Sequence, residues 1–521
     1  MESQFAWLDW TVFAAYALLM LGSGWYFSRR QAASSREYFL AGNQMPVWMV
    51  AISVLATSQS AATFLGGPEQ GYRSDLSYLA TNIGAMIAAL LVAYWLIPKF
   101  YALRVTTVYE LLEQRFGAGA KSQASLLYLF GRVFASGARL FMAALALAMI
   151  LFNDIHASSV LSALLVLTLV GLLYSLVGGI RSVIYSDVIH CALYVGAALL
   201  VLGYLFMQMP LEWSQMLSAL EHPLDRELSK FTLIDTRLDF GPGGVFSLWS
   251  ALTGFVLLNI AAFGLDQDMT QRMLSCKDAR QGAKALLWSV VWVIPVMLVF
   301  ILIGLLLYLF YQRPDLMGSA SGLETPSFEG EPIGVFMYYV LNELPAGLKG
   351  LVAVGVIAAA LSTLNSGLNA MSSVLVEDLY RPWRARRGAL PEKHYVRAGQ
   401  WGMVIAALAL CAMAALCFYW QRYSDMPLLA FALSVMVFSY SGLLGVYFTA
   451  LFTHRGSPAS VAAALATGFL FTLAMQPYLM AWYLPAQWQF ELGFSWQLCL
   501  GALVATMVCL MGKSPQSERR I

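Results

Sequence analysis

Apolar runs of about twenty residues recur along the whole chain, each as long as a helix needs to be to cross the hydrocarbon core of a bilayer. In lipid only helices and closed barrels satisfy their own backbone hydrogen bonds. Barrel strands would alternate apolar and polar residues over about ten residues, and these runs do not alternate. The composition agrees, with 60% of residues hydrophobic and 12% charged against about 25% charged in an average soluble domain. A soluble chain could not cover so much apolar surface with so little charge. A soluble enzyme, a nucleic-acid binder and a disordered scaffold are excluded, and the expected fold is an all-α polytopic membrane protein lying in the lipid bilayer.

Thirteen spans are expected, at 8–27, 46–66, 74–98, 124–152, 157–177, 183–207, 246–265, 286–312, 350–376, 398–420, 426–453, 458–480 and 492–512. The first follows an uncharged-to-acidic start and ends in Arg29 and Arg30 with no small-residue cleavage site, so it reads as a retained span and not a signal peptide. An odd count puts the termini on opposite sides. With the N-terminus outside and the C-terminus inside, 22 of the 31 basic residues fall in inner loops and 7 in outer ones, the bias that sets orientation. The remaining two, Arg132 and Arg139, lie inside the fourth span. Two long outer loops, 208–243 and 313–346, read as caps. The six cysteines form no CxxC pair and the five histidines show no metal spacing. HExxH, GxSxG and Walker motifs are absent, which points away from an enzyme.

Polar groups inside a bilayer are costly and mark function by default. Span 2 holds Thr57, Ser58, Gln59, Ser60 and Thr63, with Gly66-Gly67-Pro68 one turn on. Side-chain competition for backbone bonds, with the proline nearby, predicts a helix that unwinds near the midplane. Freed carbonyls there could bind a cation; a small-residue packing seam is the alternative. In span 9, Ala359, Ser362, Thr363 and Ser366 share a helical face, with Asn365 and Asn369 close by. Hydroxyl oxygens suit a small hard cation, and a packing stripe is again the alternative. Asp187 in span 6 needs a partner, either Arg181 or a bound cation. Arg132 and Arg139 share a face and could pair with a carboxylate or with an anionic substrate; Arg139 has Gly137 and Ala138 beside it, which leave room. Asp266, Gln267, Asp268, Gln271 and Arg272, at the end of span 7, indicate no more than a helix meeting the cytoplasm.

Taken together, these pieces resemble the sodium/solute symporter family. The matching stretches are Arg36-Glu37-Tyr38-Phe39-Leu40-Ala41-Gly42, Phe64-Leu65-Gly66-Gly67-Pro68 with Tyr72, Thr107-Val108-Tyr109-Glu110-Leu111-Leu112 with Arg115-Phe116, the run ending at Asp187, Asp266-Gln267 with Gln271-Arg272, and Ser362-Thr363…Asn369 leading to Glu377-Asp378-Leu379-Tyr380. They occur in family order over roughly 30–385. The resemblance implies a leucine-transporter-like core of two inverted five-helix repeats. The repeats would span 46–207 and 246–453, with an extra helix at 8–27 before them and two more at 458–512 after them. It implies a Na⁺ site made by carbonyls of Ala56, Gln59 and Ala359 and hydroxyls of Ser362 and Thr363. It further implies a second Na⁺ site at Asp187, Asn365 and Ser366, where Asn365 replaces a hydroxyl. Na⁺ would be the co-transported ion, with no organic cofactor, and a monomer the functional unit in the cell's inner (plasma) membrane.

Ala261-Ala262-Phe263 in span 7 and the lack of a buried lysine in span 8 depart from the sugar branch. The stretch Gly66–Tyr72 is closer to the iodide, vitamin and monocarboxylate branch, and Arg139 resembles the span-4 arginine of sialic acid members. The expectation is a Na⁺-coupled symporter importing a small organic anion by alternating access, with substrate contacts at Ser58, Thr63, Phe64, Arg139, Asn259 and Tyr440. The alternatives are a Na⁺/sugar or Na⁺/amino acid symporter, or a membrane sensor with a transporter fold. For a monoanion moving with one Na⁺ the electrical work cancels, and a tenfold Na⁺ gradient supports only about tenfold accumulation.

Overall fold

The long apolar runs fold as helices, and the polar interruptions between and within them decide where those helices end or bend. The computed structural model describes residues 5–28, 32–318, 326–328, 331–388, 390–420 and 428–513. Arg29, Arg30, Arg422, Arg519 and Arg520, which count towards the expected charge bias, lie outside the described residues.

The helices that build the core are α1 (Trp7–Ser28), α2 (Val47–Ser58), α3 (Ala61–Arg73), α4 (Ser77–Leu103), α5 (Ala118–Phe152), α6 (Ala157–Met207), α7 (Leu248–Leu265), α8 (Gln267–Leu274), α9 (Ala279–Gln312), α10 (Val335–Asn342), α11 (Leu348–Ala385), α12 (Glu392–Trp420), α13 (Leu428–Phe452), α14 (Pro458–Ala474) and α15 (Phe494–Leu510). Ten helices among the described residues are long and apolar enough to cross a membrane: α1, α4, α5, the two arms of α6, α7, α9, α11, α12 and α13. Of the other expected spans, one is the interrupted α2–α3 pair, and α14 and α15 have 17 residues each. The fold is nearly all helical. Its only described strands are the antiparallel pair Ser327–Phe328 and Glu331–Pro332.

Several boundaries differ from expectation. The second span was expected to end at 66, but α3 runs on through Gly66-Gly67-Pro68 to Arg73. The glycines serve packing instead: a Cβ on Gly67 would meet Phe300, and one on Gly71 the backbone of Ile301 on α9. The expected spans 5 and 6 are the two arms of α6, Ala157–Leu176 and Gly178–Met207, which meet in a bend at Gly179. There φ is 58° and the Tyr38 backbone lies where a side chain would be, so only glycine fits. The expected span 458–480 stops at Ala474, and a short helix, Pro477–Tyr483, follows it.

α11 is the axis of the molecule. Every residue from Val352 to Val374 is buried, against α6, α5, α12, α1 and α2. Its first turn is capped by Asp9 of α1, whose Oδ1 accepts from the Gly347 and Gly350 amides at 2.7 and 2.6 Å. A side chain on Gly350 would strike the Asp9 backbone. α9 packs along α2, α3, α4 and α6, and α13, α14 and α15 pack on one another. The first long loop does act as a cap at the Arg73 end of α3. Its Lys230 is fully buried, donates to the Tyr72 carbonyl at 2.7 Å and stands over the Tyr308 ring at 4.1 Å. The second places α10 beside it, with the Val335 amide donating to Glu69 Oε2 at 2.8 Å.

Candidate functional site

The break between α2 and α3 is made by two residues. Gln59 (φ −95°, ψ 96°) and Ser60 (φ −95°, ψ 177°) are extended. The Gln59 amide still closes onto the Leu55 carbonyl at 3.0 Å, and the next helix begins with Thr63 and Phe64 donating to Ser60 at 2.9 and 3.0 Å. Among the described residues no amide closes onto the carbonyls of Ala56, Thr57, Ser58 or Gln59. The Ser58 hydroxyl turns back onto the Leu55 carbonyl at 2.8 Å, the competition that weakens helices at such residues. Thr57 Oγ1 and Gln59 Oε1 are buried without a partner.

Facing this break is the small polar face of α11. Thr363 Oγ1 donates to the Ala359 carbonyl at 3.3 Å. Ser60 and Ala61 at the break, Thr363, Ala360 and Leu364 on α11, and Ser136, Arg139 and Leu140 on α5 line one narrow cavity. Arg139 is half-buried there. Its Nη2 contacts Met436 Sδ at 2.9 Å, and its Nε has no partner. No carboxylate among the described residues forms an ion pair with it. The room expected beside Gly137 is taken by Met413 of α12.

Arg132, seven residues earlier on α5, has a different environment. Nη1 is 3.0 Å from Asp266 Oδ2, and Nη2 is paired with Asp268. Asp266 also accepts from the Tyr440 hydroxyl at 2.7 Å. Asp268 is bound by Arg272 at 2.5 Å and accepts from the Ser366 hydroxyl at 3.2 Å. Arg272 Nη2 reaches Asp187 at 3.2 Å, and its Nε donates to Ser53 at 2.8 Å. Ser53 and Ser362 both donate to Asp187, the latter at 2.7 Å. Asp266, Asp268, Arg272 and Asp187 are 2%, 1%, 0% and 0% exposed. The reading of 266–272 as a helix end meeting the cytoplasm is therefore corrected: α8 folds back into the protein and carries the middle of a buried ionic chain. The partner of Asp187 is Arg272, not Arg181, which donates to the Ala41 carbonyl at 3.2 Å.

The sequence-derived residues separate into groups. Ala56, Gln59, Ala359, Ser362 and Thr363 are all buried, at the break and on the facing stretch of α11. Asp187 and Ser366 bind opposite ends of the Arg272–Asp268 pair, while Asn365 is buried with neither amide atom partnered. Of the expected substrate contacts only Arg139 lines the cavity. Ser58 is turned to Leu55, and Asn259 donates to the Phe255 carbonyl at 2.8 Å. Phe64 packs on Phe300 and Phe336, with ring centroids 5.2 and 5.8 Å apart. Thr63 is buried off the cavity, and Tyr440 is committed to Asp266. Ser53, Ser136, Asp266, Asp268 and Arg272 were missed as members of a site. A usable signal was present: Asp268 and Arg272 stand four apart, and two span-4 arginines needed partners.

Comparison with known proteins gives a consistent picture. A sodium/sialic acid symporter of Proteus mirabilis, SiaT, is 26% identical over 472 residues, covering 90% of each chain. The human sodium/iodide cotransporter is 27% identical over 90% of this chain and 69% of its own. A solved Na⁺-coupled sialic acid symporter, in a substrate-bound outward-open state, superposes with a TM-score of 0.80 at 24% identity, covering 98% of both chains; this likeness concerns the fold. The family model of the sodium:solute symporters matches residues 38–461, and the chain belongs to that family.

Proposed function

We propose that the protein is a Na⁺-coupled symporter that imports a small organic anion by alternating access. The observation that carries this reading is the single cavity shared by the α2–α3 break, Thr363 and an arginine without a carboxylate partner. Neutral carbonyl and hydroxyl oxygens at a helix break suit a small hard monovalent cation. The carbonyls of Ala56, Gln59 and Ala359 and the hydroxyls of Ser362 and Thr363 would hold Na⁺ and tie the break to α11. A guanidinium facing the same cavity needs a negative charge, and its planar fork fits a carboxylate. Arg139 supplies it, with Ser60 and Ser136 beside it. Ser58, Thr63, Phe64, Asn259 and Tyr440 join the substrate path only as the helices rock.

The symported anion is of the monocarboxylate, sialic acid or vitamin-like kind. The relatives named for sialic acid and iodide support a negatively charged substrate. Arg132 takes no part in binding it, because Asp266 and Asp268 already neutralise that side chain. The chain would cross the inner (plasma) membrane thirteen times, N-terminus outside and C-terminus inside. The repeats would be 46–207 and 246–453, with a single chain as the working unit.

The test is thermal unfolding of the purified protein in Na⁺ against K⁺, crossed with monocarboxylates, sialic acid, pantothenate, amino acids and sugars. A ligand of the folded state raises the melting temperature by mass action. Stabilisation by Na⁺, with a further rise for one anion class only when Na⁺ is present, supports the reading. Equal behaviour in Na⁺ and K⁺ rejects it, and a sugar or neutral amino acid as the Na⁺-dependent ligand rejects the anion assignment.

A further inference from the structure

We infer that Arg272 is a built-in substitute for a second cation, so that the carrier binds one Na⁺ per cycle. This rests on the Na⁺-coupled reading above and adds the ion count. The position at issue is Asp187, whose carboxylate accepts from Ser362 of the proposed Na⁺ site. Its two oxygens are both occupied by protein donors: Ser362 on Oδ1 at 2.7 Å, and Ser53 with Arg272 Nη2 on Oδ2, the latter at 3.2 Å. Oδ1 keeps a lone pair beside the Ser362 hydroxyl, but the charge of the carboxylate is already neutralised by Arg272. A second cation at Asp187 would either share this neutralised carboxylate or displace a guanidinium that is itself fully buried and fixed by Asp268 at 2.5 Å and by Ser53 at 2.8 Å. Breaking such a pair leaves an uncompensated buried charge.

The neighbouring ligands are turned elsewhere. Ser366 donates to Asp268 at 3.2 Å and to the Thr363 carbonyl at 2.9 Å. Asn365 directs its Oδ1 to the space beside Gly171, on the other arm of α6 from Asp187. Among the described residues, nothing besides Asp187 and its three donors is gathered into a second oxygen cage.

The charge balance of the interior agrees. Asp187, Asp266 and Asp268 face Arg132 and Arg272 directly, and Arg139 stands within electrostatic reach of Asp266 and Asp268. These three carboxylates exceed their two paired arginines by one charge, which one Na⁺ balances, while Arg139 is balanced by one monoanion. One Na⁺ with one monoanion preserves that balance, whereas two Na⁺ with a monoanion leave a net positive charge buried in the membrane. Transport of a monoanion is then electroneutral, and a tenfold Na⁺ gradient accumulates it about tenfold.

The test counts ions without needing the substrate. Radiolabelled Na⁺ is bound at equilibrium to the purified full-length protein, with N-methylglucamine holding ionic strength constant. The expected result is one Na⁺ per chain, with a Hill coefficient near one. In Arg272→Gln the count rises to two, because the carboxylates of Asp187 and Asp268 lose their fixed partner. Asn365→Ser, which restores a hydroxyl but leaves Arg272 in place, stays at one. Two Na⁺ in the wild type overturns the inference, whether or not Arg272→Gln folds. A folded Arg272→Gln that still binds one, or an Asn365→Ser that binds two, overturns it as well. No bound Na⁺ in the wild type rejects the Na⁺-coupled reading itself, a different outcome from a count of two.

Discussion

Two arginines seven residues apart on one helix carry opposite assignments, and substitution separates them. Removing Arg132 leaves Asp266 and Asp268 buried without their counter-charge, a loss of about 3–5 kcal/mol when one member of a buried pair is deleted. Arg132→Leu should therefore lower the melting temperature sharply with or without ligand. Arg139 has no ion pair to lose. Arg139→Gln should melt within about 1 kcal/mol of the wild type in K⁺, yet lose the extra stabilisation that an anion gives in Na⁺. A third variant, Thr363→Val, keeps the shape and deletes one proposed Na⁺ ligand, a group worth about 1.4 kcal/mol on the scale of a single hydrogen bond. The Na⁺ concentration for half-maximal stabilisation should rise about tenfold, with the K⁺ baseline little changed. At this scale the sequence was informative about types and less so about partners. The four-residue spacing of Ala359, Thr363 and Ser362 with Ser366 marked the polar face of α11, and polarity marked the break at Gln59. That Arg132 meets α8 while Arg139 meets the cavity depends on how α5 crosses α7, α8 and α13, which no local pattern encodes.

At the scale of elements, a helix can look interrupted for two reasons, and only one interrupts it. The hydroxyl-rich stretch around Ser58 and Ser60 breaks the backbone, while Gly66-Gly67-Pro68 continues as helix because its missing side chains let α3 lie against α9. The cap loop offers a prediction of its own. Lys230 has its ammonium pushed down to about 8 by burial, against a value of 10.5 in an exposed chain. Between those two values the undocked loop holds a proton that the docked loop has released, so docking strengthens as pH rises through this window. Cleavage in the cap loop by an added protease should slow from pH 8 towards pH 10, relative to an exposed control site. Lys230→Met should remove that dependence.

For the whole molecule, length and hydropathy sufficed to give the class and the approximate positions of the helices, and the motif stretches in their order gave the family. They did not give the number of continuous crossings, because α2 and α3 are halves of an interrupted helix and α14 and α15 are short. Orientation is checked directly. In sealed right-side-out vesicles an N-terminal tag should be digested by external protease and a C-terminal tag protected. Both tags on one side would mean an even number of crossings and would invert the assignment of every later loop.

The Asp9 cap on α11 has a mechanical consequence. A first helix lying outside both proposed repeats grips the first turn of α11 through two amides, while Arg381 near the far end of α11 is bound to Glu392 of α12 at 2.7 Å. A rod held at both ends behaves as a stator. On the alternating-access reading proposed above, the displacement that exposes the cavity to either side would then fall on α2, α3 and α8, with the breaks at Gln59–Ser60 and Asp266 as the joints. Asp9→Ala would loosen the anchorage and not the joints. Its signature would be hydrogen exchange quickened at Gly350 and the next turn, with the protection of α3 unaltered.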